Sequence, residues 1–239
     1  MKYKLVIFDV GRTLLDKRYS PNISAQILAD IKQLQGNGIK VGVCTMRTVK
    51  HCNDIIPFDL DFYICLNGSY IICEGKTIFN SPIDYKASVT DYLAYDESTS
   101  YYTTATAKKK AITNGFLVDK IGVANIAHNV VLFDIEETQL SNYSKYNTEY
   151  WRDTKTLLLQ SIDASKMLGV QRVLDFYKIK NEFLYFGDGP NDLPIFKKYH
   201  NCVCMGDCYP DLIPCALCQT KTCQENGVSY ALKKLGLVN

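Results

Sequence analysis

Short apolar, β-branched runs alternate with stretches of helical spacing over the first eighty residues, and this alternation predicts an α/β architecture. Leu5 to Phe8 is a buried strand that stops at Asp9 and breaks at Gly11. Asn22 to Gln35 places Ile23, Ile27, Ile31 and Leu34 on one helical face, and Gly36 and Gly38 end it. Ile39 to Cys44 is a second strand, followed by Thr45-Met46-Arg47, a short helix carrying Val49 and Ile55, and Pro57. Asp61 to Cys65 is a third strand closed by Asn67-Gly68. Tyr70 to Cys73 and Thr77 to Phe79 then form a hairpin around Glu74-Gly75. A βαβαβ order implies a doubly wound parallel sheet with right-handed crossovers.

The pattern changes near Pro82. Residues 83–110 are rich in Tyr, Thr, Ser and Ala and show few apolar periods. Residues 111–160 mix strands at Asn129 to Asp134 and Thr156 to Gln160 with a helical stretch from Glu136 to Tyr146. The βα rhythm resumes with a helix at Ala164 to Tyr177, a strand at Glu182 to Phe186, a short helix at Leu193 to Tyr199 and a strand at Cys202 to Met205. A helix at Asp211 to Ala216, a strand near Leu217 to Thr220 and a helix from Val228 to Leu235 close the sheet. The simplest organisation is an α/β core of residues 1–81 and 161–239 with a small α+β unit, residues 82–160, inserted in it.

Composition narrows the function without naming it. A hydrophobic fraction of 47% and a charged fraction of 22% are those of a globular protein. A net charge of +2 makes no case for a nucleic-acid surface or an acidic partner. Lys108-Lys109-Lys110, the longest basic cluster, reads as a solvated face. No apolar run reaches membrane-spanning length, and the N-terminal run stops at Asp9, too short and too charged for a leader. The compartment expected is the cytoplasm, where the Asn-x-Ser sequons at Asn22, Asn67 and Asn142 carry no meaning. Cys215-Ala-Leu-Cys218 has half-site spacing for a metal, but it lacks a second pair. The ten cysteines are therefore expected as core packing.

Candidate chemistry gathers at strand ends, where open α/β sheets place their ligands. Gly187-Asp188-Gly189-Pro190-Asn191-Asp192 sets two carboxylates four apart across a strand end and the first turn of a helix. Hard oxygen ligands there suit Mg²⁺, and Asp9 offers a matching carboxylate on another strand. Thr45 provides a hydroxyl for a phosphoryl oxygen or for a helix cap. Lys166 opens a helix, where a cation opposes the dipole, so an anion-facing role is expected.

Asp9 with Thr13, then Thr45, Lys166 and Gly187 to Asp192 resemble the four motifs of the haloacid-dehalogenase-like (HAD) hydrolase superfamily. Asn67-Gly68, Met205-Gly206 and Glu225 to Val228 resemble pairs of its Cof-like, sucrose-phosphatase-like branch, whose cap domain the insertion matches. The resemblance implies a Rossmann-like core and a phosphatase acting on a small phosphorylated metabolite through an aspartyl-phosphate. Asp9 would be the nucleophile, with Thr45 and Lys166 holding the transferring oxygens. Asp9, the Gly11 carbonyl and Asp188 would share Mg²⁺, and Asp192 would support that shell through water or Lys166. Met46, Arg47 and Asn191 would line the substrate pocket.

One position departs from the family pattern Asp-x-Asp-Gly-Thr: this chain reads Asp9-Val10-Gly11-Arg12-Thr13. Gly11 stands where the family has its general acid and base, help typically worth ~10²–10⁴ in rate. Reduced turnover, a silent relative that binds a phosphorylated ligand or partner, and phosphonate or phosphotransfer chemistry with a cap lysine among Lys108 to Lys110 are the alternatives. Asp16 is a candidate surrogate acid. Arg12, in place of a glycine, would bind an anionic substrate or fold outward. Tyr101, Tyr102 and Trp151 are cap aromatics expected to pack rather than to line a pocket.

Overall fold

A computed structural model describes residues 2–18, 20–85, 101–122 and 126–239, and the backbone alone of residues 92–95. In chain order the strands are β1 (Leu5–Phe8), β2 (Lys40–Cys44), β3 (Phe62–Cys65), β4 (Tyr70–Cys73), β5 (Lys76–Asn80), β6 (Tyr92–Tyr95), β7 (Tyr101–Thr103), β8 (Lys120–Ile121), β9 (Asn129–Leu132), β10 (Asn147–Trp151), β11 (Thr156–Gln160), β12 (Phe183–Gly187), β13 (Cys202–Cys204) and β14 (Cys218–Gln219). The helices are α1 (Ala25–Gly36), α2 (Val49–Asn53), α3 (Lys108–Thr113), α4 (Lys166–Tyr177), α5 (Leu193–Lys198) and α6 (Gly227–Lys234).

Eight strands form one sheet in the order β14-β13-β12-β1-β2-β3-β4-β5. It is parallel from β14 to β3, and the β4–β5 hairpin adds an antiparallel edge. Alternation along β1 explains how both faces are filled. Val6 and Phe8 pack with Ile27, Ile31 and Leu34 of α1 and Leu232 of α6, whereas Leu5 and Ile7 pack with Val170, Val173 and Leu174 of α4. Ser24 caps α1 by accepting the Ile27 N–H, and Ser165 caps α4 by accepting the Leu168 N–H. The β4–β5 turn uses Glu74 and Gly75, both at positive φ, as a tight hairpin requires.

A second, six-stranded sheet has the order β10-β11-β9-β6-β7-β8. One face of it keeps its own core of Val130, Leu132, Leu157 and Leu159. Val131 and Leu158 on the other face join the cluster that includes Leu66 and Tyr101.

Two expected helices are 3₁₀ segments instead. Pro210–Cys215 contains Pro214, which removes an i→i−4 donor, and Glu137–Tyr143 has no buried residue to pack. The chain from 83 to 110 supplies two strands that its apolar pattern does not announce, β6 and β7, which pair with each other and then with β9 and β8 further along the chain. Residues 86–91 and 96–100 of that stretch lie outside the described residues.

All ten cysteines are free, and Cys44, Cys52, Cys65, Cys73, Cys202 and Cys204 are buried. None joins the one cluster of three or more potential metal ligands found among the described residues. No helix among those residues is long and apolar enough to cross a membrane.

Candidate active site

Parallel strands place their C-terminal ends together, so residues distant in sequence converge beyond β1, β2 and β12. The Asp9 N–H donates to the Phe186 carbonyl at 2.8 Å, which continues the β1–β12 ladder past the strand and sets the carboxylate at the sheet edge. Thr45 does the same beyond β2, its N–H bonded to the Ile64 carbonyl, while its hydroxyl accepts the Arg47 N–H at 3.2 Å. Lys166, at the first position of α4, is 2% exposed. Its Nζ donates to Asp9 Oδ1 at 2.6 Å and Asp192 Oδ1 at 2.7 Å.

Asp192 is held from four directions. Besides Lys166, its Oδ1 accepts the Tyr185 hydroxyl at 2.6 Å, and its Oδ2 accepts the N–H groups of Asp188 and Gly189, each at 3.0 Å. With both oxygens engaged, Asp192 orients Lys166 and folds the Asp188 turn from behind the cleft. Asp188 keeps its carboxylate toward the cleft, with Thr13 Oγ1 donating to its Oδ1 at 3.4 Å.

Asp9, Asp188 and Asp192 lie within ligand distance of one another, and all three are buried. Three carboxylates face a single buried ammonium. Burial raises the Asp188 carboxyl to about 8, with Asp9 and Asp192 adding to the shift and Lys166 and Arg12 opposing it. Burial also raises Asp9, against the pull of Lys166. Burial would lower Lys166, but Asp192 and Asp9 outweigh it and hold the ammonium well above its usual range. This surplus of buried negative charge, built from hard oxygen donors, fits a divalent cation.

The cleft beside this cluster is lined by Asp9, Gly11, Thr45, Lys166 and Asp188, and also by Met46, Arg47 and Asn191. The sequence-derived candidates are therefore brought to one place. Its opposite wall comes from the second sheet's domain: Tyr101 and residues 114–117. Tyr101 both packs and lines the cleft. It stacks on His51 of α2 with centroids 4.4 Å apart, and its hydroxyl accepts the Thr48 N–H at 3.2 Å. Trp151 packs on Phe116, and the Tyr102 ring lies beside the Lys120 ammonium.

Several expectations are corrected by this geometry. Arg12 lines the cleft and does not stand free. At φ +57° it turns back so that Nη2 donates to the Asp207 carbonyl at 2.6 Å and to its Oδ2 at 3.0 Å, with Nη1 3.6 Å from Asp188 Oδ2. Asp16 is clamped by Arg18, whose hydrogen bonds hold its carboxyl below the usual range, and it is absent from the cleft lining. Lys108, Lys109 and Lys110 are absent from the cleft lining, and Lys110 pairs with Asp134. Among the described residues, Lys108 to Lys110 therefore do not supply a cap lysine to this cleft.

Sequence reading missed the polar chain that braces α4. Asn191 Nδ2 donates to Asn67 Oδ1 at 3.4 Å, Asn67 Nδ2 to Gln160 Oε1 at 2.9 Å, and Gln160 Nε2 to the Ala164 carbonyl at 2.6 Å. Only the Asn67-Gly68 turn signal pointed there. Gly68 is required because its φ is +91° and a Cβ would lie 2.1 Å from the Ser165 carbonyl oxygen. Gly68→Ala is expected to cost about 3 kcal/mol in a denaturant titration, because strain and a backbone clash act together. A loss within experimental error would show that the loop can move away from α4.

The sequence profile of the haloacid dehalogenase-like hydrolases matches residues 6–156 and 111–232. The chain belongs to that family, in its HAD Cof-like superfamily. It is similar to YkrA of Bacillus subtilis, which carries the name of a phosphatase, with 25% identity over 259 residues that span all of both chains. It is also 26% identical over 282 residues to the 5-amino-6-(5-phospho-D-ribitylamino)uracil phosphatase YwtE of Bacillus subtilis, covering 97% of this chain and 98% of that one. Among solved structures, BT1666 of Bacteroides thetaiotaomicron, described among phosphatases of the HAD superfamily, superposes with a TM-score of 0.81 at 22% identity, covering 99% of this chain and 96% of that one. That likeness establishes a shared fold, the Rossmann-like core with its cap.

Proposed function

We propose that the protein is a Mg²⁺-dependent phosphomonoesterase acting on a small phosphorylated metabolite through an aspartyl-phosphate on Asp9. The observation that carries this reading is the buried Asp9–Lys166–Asp192 chain at 2.6 and 2.7 Å, next to Asp188. It keeps a nucleophile, a cation and a metal-ligand set in one cleft. The proposal divides the chain into a core of 1–81 and 161–239 and a cap of 82–160, a division that the two separate sheets support. Free thiols suit the reducing cytoplasm we assign to it.

Asp9, the Gly11 carbonyl and Asp188 would hold Mg²⁺, which when bound screens the phosphate dianion from the attacking carboxylate. An Asp9 oxygen attacks phosphorus while the bond to the leaving oxygen breaks. Lys166, oriented by Asp192, and the hydroxyl of Thr45 hold the transferring oxygens as charge shifts onto them. Arg47, Met46 and Asn191 position the rest of the substrate. Water then attacks phosphorus and releases Asp9 and orthophosphate.

Gly11 is the specific observation favouring a second reading, a phosphate-binding relative that does not turn its ligand over. Metal removal separates the two. Protein stripped by chelator is expected to gain p-nitrophenyl phosphate hydrolysis and several degrees of thermal stability on adding Mg²⁺, and Asp188→Asn is expected to lose both responses. Hydrolysis that is equal with and without chelator would remove the metal from the proposal. Phosphate binding with no turnover would establish the second reading.

A further inference from the structure

Where the family pattern sets a carboxylate and a glycine, this chain sets Gly11 and Arg12, which places a cation beside an acidic site. The backbone at Arg12 is left-handed, φ +57°, a conformation that costs every residue except glycine, so its side chain has to offset that cost. Nη2 does so through two hydrogen bonds to Asp207, to the carbonyl at 2.6 Å and to Oδ2 at 3.0 Å. The Asp207 loop is in turn tied to the Asp188 turn, because the Tyr209 N–H donates to the Asp188 carbonyl at 2.7 Å. These ties set Nη1 of Arg12 3.6 Å from Asp188 Oδ2, on the lining of the cleft. Behind Asp207 stands Arg18, 3.6 Å from its Oδ2, which also clamps Asp16.

Resting on the metal-dependent reading above, we propose that Arg12 is a resident counter-cation of Asp188, one that competes with Mg²⁺ for this carboxylate and sets how tightly the metal loads. Its effect passes through Asp188, which makes it a positioning residue rather than a catalytic one.

The charges and distances define its action. With every group ionised, the three carboxylates and Lys166 carry two net negative charges, and Arg12 halves them. At 3.6 Å the contact is one of charges, beyond hydrogen-bond range, so it attracts the carboxylate without locking it. Because Asp207 anchors the guanidinium, Arg12 stays beside the site when Asp188 turns to a metal. An ion bonded to Asp188 lies a few ångströms from that fixed charge, where repulsion screened as in water changes affinity about tenfold. The Arg12 side chain is 42% exposed, which is why water-like screening applies.

MgCl₂ titrated calorimetrically into chelator-stripped protein, without substrate, tests this. The titration is run at about pH 9, above the value of about 8 to which burial raises Asp188, so that proton release does not dominate the heat. Arg12→Gln is expected to tighten Mg²⁺ binding about tenfold, and Arg12→Lys to stay within about threefold of wild type. Asp207→Asn removes the carboxylate that offsets the guanidinium, and is expected to weaken binding. The gap between wild type and Arg12→Gln narrows in ~1 M salt, because the repulsion is screened. In thermal melts Arg12→Gln gains more stability than wild type from a given Mg²⁺ concentration. A side chain that only shapes the Asp188 turn gives the reverse sign, weaker binding in Arg12→Gln. Arg12→Gly, which relieves the positive φ, repeats the measurement should Arg12→Gln fail to fold. Unchanged or weaker Mg²⁺ binding in either folded variant would overturn the inference, while hydrolysis that exceeds Asp9→Asn leaves the phosphatase reading standing. Wild-type protein that binds no Mg²⁺ overturns it as well.

Discussion

Asp9→Asn is expected to abolish turnover, with a fall of about 10⁴-fold in p-nitrophenyl phosphate hydrolysis. Asn has the shape of Asp, and it keeps the backbone bond to Phe186 and an oxygen for Lys166, but the amide is no nucleophile toward phosphorus. The fold should be unaffected, because burial disfavours the Asp9 carboxylate and an uncharged amide escapes that cost, while Lys166 keeps Asp192 as its partner. Incubation with acetyl phosphate should add a phosphoryl mass to the wild type and none to the variant. Substantial turnover left in a folded Asp9→Asn protein would mean that water attacks the ester directly and that Asp9 only helps to hold the metal.

Gly11→Asp is expected to raise phosphomonoester turnover by about 10²-fold. Steric arguments usually weigh against replacing a glycine in a catalytic loop, but here they do not. A Cβ built on Gly11 meets no heavy atom within 4 Å, and Gly11 is not among the positive-φ glycines, so the new side chain strains nothing. The carboxyl enters the cleft beside Asp9 and can protonate the leaving oxygen and then activate water. An unchanged rate in a folded variant would show that proton transfer does not limit this protein.

Most of the core is legible in the chain. β1, β3 and β12 are continuous apolar runs because parallel strands are buried on both faces, and β1 runs into Asp9, β2 into Thr45 and β12 into Gly187, which mark the sheet edge. The helices α1 and α4 show their buried stripes, Ile27-Ile31-Leu34 and Val170-Val173-Leu174, at helical spacing. The acidic cluster is legible for the same reason: Asp9, Thr45, Lys166 and Asp188 each sit at an element's end, and parallel topology brings such ends together.

The inserted domain is not legible in this way. β10 reads Asn-Thr-Glu-Tyr-Trp, with no apolar alternation, because Asn147 bonds the Ala164 carbonyl and only Trp151 packs with the cluster around Leu66 and Tyr101. Tyr185 gives no hint in sequence that its hydroxyl serves Asp192 from within a buried strand. Nothing local announces the partner of Arg12, because Asp207 lies 195 residues away.

The amino-acid sequence alone determined the doubly wound core, the family and the carboxylate–lysine set, because strand periodicity and strand-end motifs are local properties. The tertiary structure alone decided that Asp192 works from behind the cleft, that Arg12 braces Asp188, and that Asn67, Gln160 and Asn191 join in one polar chain. Those outcomes depend on how distant segments pack, and burial and neighbouring charge, unlike spacing, exist only once the chain has folded.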